Sequence, residues 1–156
     1  MYVGFMEISI LNTKNFKLKT KTTTVVTGDK FMVGEFEITG PGEYEVNGVS
    51  VVGTPRGFVI EADNLRICLI TKTDAKLSDS EVEEFGSIDI TLVPTDGDVK
   101  MAQQIAKQVD PWVMIPNNFN VTEFLKEMGT ASYEPVPKYT ISHDKLPQEL
   151  QVICLK

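Results

Sequence analysis

Through the first half of the chain, apolar and polar positions alternate with a period of two, the spacing of a half-buried strand. Glu7 to Leu11 reads as a short strand, and the run F-K-L-K-T-K from Phe16 to Lys21 alternates so regularly that one of its faces must meet water. Thr23 to Val26 continues that strand or begins another, Gly28-Asp29 marks a turn, and Phe31 to Val33 and Phe36 to Ile38 flank Gly34. Gly40-Pro41-Gly42 predicts a tight turn, since proline presets φ for one turn position and glycine accepts the left-handed values that follow. With strands on both sides of that turn, Ile38 to Pro55 reads as one hairpin. Within it Asn47-Gly48 reverses Tyr44–Val46 onto Val49–Val52, whose β-branched residues suit a pleated surface. Phe58 to Glu61 and, past Asp63-Asn64, Leu65 to Ile70 complete an antiparallel meander with short connections.

Beyond Ile70 the period changes. Ser78 and Glu81 form a capping box for a short helix that Gly86 stops, followed by a strand from Ile88 to Val93. Asp98 caps a second helix in which Val99, Ala102, Ile105, Ala106 and Val109 recur at helical spacing on one face. Trp112 to Ile115 predicts a core strand closed by Pro116. Asn120 and Glu123 repeat the capping-box pattern for a helix ending at Gly129, with Phe124, Leu125 and Met128 inward. Lys138 to Ile141, a turn through His143–Pro147 and a last strand from Gln151 to Leu155 end the chain. Alternating strands and helices imply right-handed parallel crossovers. The expected fold is a mixed α/β (α+β) domain, a largely antiparallel N-terminal sheet joined to βα units with helices on the side the second half supplies.

Composition narrows the function classes. At 156 residues with 42% hydrophobic content, residues 1–156 are expected to form one domain. The formal charge of -7 opposes the phosphate attraction on which nucleic-acid binding rests, so DNA and RNA are not expected partners. No stretch approaches the roughly 18 apolar residues of a membrane helix, and the opening Met1–Met6 lacks the basic start of a secretory signal. The start falls at Met1, or at Met6 with Met1–Phe5 as a disordered extension. Cys68 and Cys154, both within apolar runs, read as buried thiols of a cytoplasmic protein.

Few residues suggest chemistry. His143, the only histidine, lies in a polar turn beside Asp144, where an acid–base role lacks a water-poor site. Asp96 and Asp98 offer paired carboxylates for a cation, or Asp98 simply caps a helix. Glu43 and Glu45 share a strand face and form either an acid–base pair or a wet surface. Lys17, Lys19 and Lys21 form either an anion-binding ridge or a solvated face paired across strands with Glu35, Glu37, Glu43 and Glu45.

Several ordered segments carry a resemblance: I-T-G-P-G-E-Y-E-V-N-G-V-S-V-V-G, N-L-R-I-C-L, L-S-D-S-E-V-E-E-F-G-S-I-D-I-T-L-V-P, D-P-W-V-M-I-P and F-L-K-E-M-G. From about residue 36 to 156 the chain resembles a bacterial and archaeal branch of the metallo-β-lactamase superfamily, nearest its L-ascorbate-6-phosphate lactonase-like hydrolases. The resemblance implies an αββα sandwich with zinc at the sheet ends. Family members hold that zinc through a His-x-His-x-Asp-His motif, a His-Leu-Gly-Asp segment and a further histidine. Residues 11–38 of this chain contain no histidine, and the segment is too short for the loop and helix of the first motif. At the other family ligand positions stand Leu69, Lys72 and Asn118. The expectation is therefore a reduced metallo-β-lactamase-like domain with no catalytic, cofactor or metal residues, acting in binding or assembly as a homo-oligomer or with an unknown protein partner. An alternative is a hydrolase that acts without zinc, or with a metal held in an incomplete site or partly by a partner. Another is a sensor of small anionic metabolites using Lys17, Lys19, Lys21 and Lys72.

Overall fold

The computed structural model describes residues 5–12, 14–117, 119–129 and 134–156. Its first strands are β1 (Met6–Ile10), β2 (Phe16–Lys19), β3 (Thr24–Val26), β4 (Phe31–Val33) and β5 (Phe36–Ile38). Then come β6 (Gly42–Val46), β7 (Val49–Thr54), β8 (Gly57–Ala62) and β9 (Leu65–Ile70), followed by α1 (Asp79–Phe85), β10 (Ile90–Val93), α2 (Val99–Val109) and β11 (Val113–Pro116). Last are α3 (Val121–Glu127), β12 (Tyr139–Ile141), a 3-10 turn (His143–Lys145) and β13 (Gln151–Val152).

These strands form two sheets. One runs β12-β1-β2-β3-β4-β5 and is antiparallel throughout; the other runs β13-β11-β10-β9-β8-β7-β6. The second is antiparallel from β6 to β9 and parallel from β9 to β13, as the crossovers require. Period-two alternation lets each strand give one face to a shared core. Ile8, Leu18, Val25 and Val33 of the first sheet meet Val51, Ile60, Ile67, Leu92 and Ile115 of the second.

All three described helices follow β9 and cover the outer face of the second sheet. Val59, Cys68 and Ile70 pack with Leu77, Phe85, Ile105 and Val109, while Val93 and Met114 pack with Val99, Ala102, Ala106 and Phe124. The five-residue stripe of α2 is buried as its spacing predicts. Each Val or Ile in it contributes roughly 1.5–3 kcal/mol on burial. Asp98 caps α2 through Met101 N–H, and the Ser78–Glu81 capping box forms at α1, which Gly86 ends at φ 72°. The described architecture is thus ββα, short of the αββα expected of the full superfamily domain.

Four local expectations are corrected. Gly40-Pro41-Gly42 is not a hairpin turn; β5 belongs to the first sheet and β6 to the second, so this turn carries the chain between layers. Turn chemistry reverses the chain but does not choose the sheet, and β5 already pairs with β4 across Gly34. The Asn47-Gly48 hairpin does form, with Val46 opposite Val49. Trp112 is not in the core: it is 46% exposed, ahead of a strand that begins at Val113. The Asn120 side chain does not cap α3; its Nδ2 donates instead to the Thr95 carbonyl at 3.1 Å. The final strand stops at Val152, so Cys154 is buried outside a strand.

The wet face of β2 stands, but its neighbours differ from the expected glutamates. Lys17 lies opposite Ser9 and Val26, and Lys19 opposite Glu7 and Thr24. Glu37 is on β5, three strands away, Glu35 is in the β4–β5 turn, and Glu43 and Glu45 are on the other sheet. Register, which alternation alone leaves open, decides the pairing. Met6 is fully buried in β1, whereas Met1–Gly4, on which the alternative starts turn, lie outside the described residues.

Candidate functional site

A parallel sheet presents the C-terminal ends of its strands to ligands, because the loops that follow diverge there. In this chain β9, β10 and β11 end beside one cleft of ≈510 Å³ between the two sheets. Thr71, just after β9, and Leu69 line one side; Asp96 after β10 and Asn117 after β11 line another. From the first sheet come Lys14, Thr27 and Phe31. Phe31 and Phe58 meet edge to face, with ring centroids 4.9 Å apart and planes at 68°.

The polar groups of this cleft are mostly engaged with one another. Lys14 Nζ lies 3.3 Å from Asp96 Oδ2 and 5.3 Å from the centroid of the Phe119 ring. Asn117 Oδ1 accepts from Thr95 N–H at 3.3 Å, from the Thr95 hydroxyl at 2.7 Å and from Phe119 N–H at 3.1 Å. With Asn120 bound to the Thr95 carbonyl, these contacts zip the loop after β10 to the loop after β11.

The zinc implied by the resemblance does not fit these donors. Zinc takes imidazole and thiolate, with carboxylates as partners to them. Here the carboxylate of Asp96 faces an ammonium, the Asn117 oxygen already accepts three hydrogen bonds, and Leu69 offers only carbon. Among the described residues no three His, Cys, Asp or Glu side chains gather around a common point.

Of the family ligand positions, Leu69 lines the cleft, and Asn118 lies outside the described residues. Lys72 is exposed, its carbonyl accepting from Arg56 Nη2 at 3.3 Å. Lys17 and Lys19 stand on the first sheet and Lys72 follows β9 in the second, so these positions do not share a sheet. Lys21 turns its backbone N–H to the Asp63 carboxylate at 3.1 and 3.3 Å, tying the two sheets together. His143 is exposed in the 3-10 turn, 4.0 Å from Asp144. Glu43 and Glu45 are exposed on β6, and Asp98 is a cap. Burial pushes the Cys68 thiol up to about 12 against the opposing charge of Arg66, and raises Cys154 to about 11.

Sequence reasoning missed Lys14 and Asn117. The signal for Asn117 was available, a polar residue directly after an apolar strand of a parallel set, where such sheets place ligands. Lys14 had none, because only the packing of the two sheets brings the β1–β2 turn to Asp96.

The sequence model of the beta-lactamase superfamily domain matches residues 12–118. The chain belongs to this family. Among solved structures it is similar to a Thermotoga maritima protein described provisionally as a Zn-dependent hydrolase of the metallo-beta-lactamase superfamily. The two share 26% identity and a TM-score of 0.79 over 96% of this chain and 98% of the other. Nothing among curated proteins matches the sequence. Family membership agrees with the two-sheet sandwich. No helix among the described residues is long and apolar enough to cross a membrane.

Proposed function

We propose that this member of the beta-lactamase superfamily is non-catalytic and metal-free and acts in binding or assembly. The observation that supports it is the Lys14–Asp96 pair, 3.3 Å apart in the cleft at the sheet ends. Asp96 is taken up by the Lys14 ammonium, both side chains being partly exposed, and Leu69, at a position where the resemblance implies a ligand, offers only hydrocarbon. Metal analysis of the full chain purified without chelator, with a melting scan in added zinc, tests this reading. The expected result is substoichiometric metal and an unchanged Tm; stoichiometric zinc or iron, or a zinc-dependent rise in Tm, overturns it.

Assembly is the second part of the same reading. Among the described residues β5 and β12 end one sheet and β6 and β13 the other, and strand edges left open favour a second chain. A homo-oligomer is expected by light scattering, and a monomer at micromolar concentration overturns it. Two free, buried thiols support a cytoplasmic setting.

A further inference from the structure

Asn117 has a side chain whose orientation is dictated and whose donor is unused. Peptide N–H groups only donate, so the contacts from Thr95 and Phe119 identify the accepting atom as oxygen. The residue is 3% exposed and lines the cleft, and its Nδ2 donates to no other described residue; it is not one of the fully buried unpartnered atoms, which among the described residues are Arg56 Nε, Thr91 Oγ1 and Ser142 Oγ. Such a donor keeps contact with solvent in the cleft, and a ligand oxygen that reaches it takes the place of water there. Two other cavities, of ≈450 and ≈470 Å³, lie over turns and acidic strand surface and hold no such group among the described residues.

We propose that the cleft binds a neutral small molecule with a flat apolar body and a carbonyl oxygen, the oxygen accepting from Asn117 Nδ2. This rests on the binding reading above. A cleft of ≈510 Å³ is the size of a small-molecule site. Phe31, Phe58, Ile38 and Leu69 supply an apolar wall for the body of the ligand. Neutrality follows from the charges in the lining: Lys14 is its one cation and faces Asp96, while Asp29 adds a second carboxylate. A carboxylate or phosphate therefore meets net negative charge.

Benzamide and benzoate share shape and differ in charge, which suits them as probes in titrations of the 15N-labelled full chain. Benzamide is expected to move the Asn117 side-chain amide pair and the backbone signals of Phe58 and Leu69, and benzoate to leave them in place. Asn117→Asp keeps an oxygen for Thr95 and Phe119 but removes the N–H donors, and is expected to weaken benzamide binding by about tenfold or more. Leu69→Phe, which narrows the cleft and leaves Asn117 intact, is expected to weaken it as well. Absence of benzamide shifts, benzoate binding as tightly, or wild-type affinity in both variants overturns the proposal. These readouts need neither metal nor turnover, so stoichiometric zinc sinks the metal-free reading without deciding the cleft's ligand.

Discussion

Glu81 and Arg56 share one carboxylate oxygen with a helix cap. Glu81 Oε1 accepts from Ser78 N–H at 2.8 Å, closing the capping box of α1, and from Arg56 Nη1 at 3.2 Å. Arg56 also donates to the carbonyls of Lys76 at 3.2 Å, Lys72 at 3.3 Å and Ala75, so one guanidinium holds the whole loop between β9 and α1. Its counterpart Arg66 closes the other end of the helix, donating to Phe85 O at 2.8 Å and Ser87 O at 2.7 Å. These are the only two arginines in the sequence, and each uses the planar fork that a lysine lacks.

Replacing that fork should loosen the loop. Arg56→Lys keeps the charge but cannot reach three carbonyls and a carboxylate together, and the site is largely buried, with 12% of the side chain exposed. A loss of about 2 kcal/mol is expected from urea midpoints, with faster amide exchange across residues 71–77. Unchanged exchange there would remove Arg56 as the anchor.

The same carboxylate makes stability depend on acid pH. The Ser78 backbone N–H, followed by the charge of Arg56, holds the Glu81 carboxyl below its ordinary value of 4.5. A group depressed on folding contributes stability above its unfolded value and loses it as pH falls through the folded one. Stability should therefore decline below about pH 4.5, and Glu81→Gln should flatten that part of the curve. An unaltered pH slope in the variant would locate the acid sensitivity elsewhere.

The Cys68 thiol should be inert in the native protein. With no exposed surface and a pKa pushed up to about 12, it offers almost no thiolate at pH 8. A disulfide reagent is expected to label it only as fast as the chain opens, and at once in urea. Fast native labelling of Cys68 would contradict the burial described.

Asn120 and Ser78 test two uses of a residue before a helix. Ser78→Ala should cost about 1 kcal/mol as a lost cap. Asn120→Asp should cost a similar amount, about 1 kcal/mol, although aspartate is a good cap, because the change removes the Nδ2 donor to Thr95 and sets a carboxylate against a carbonyl. Wild-type urea midpoints for Asn120→Asp would mean that the zipped loops do not depend on this bond.

What the chain alone determined is local. The stripe of α2, the caps at Ser78 and Asp98, the reversal at Asn47-Gly48 and the alternation of the strands all depend on residues a few positions apart, within reach of period and turn chemistry. The missing histidines are equally plain in the letters. Tertiary structure decided what depends on distant partners: that Gly40–Gly42 joins two sheets, that Lys19 faces Glu7, and that Trp112 meets water. It also decided that Asn120 serves Thr95, and that Lys14 and Asn117 meet in one cleft. Alternation says that a residue faces one side of a strand; only the packing of two sheets says what stands opposite.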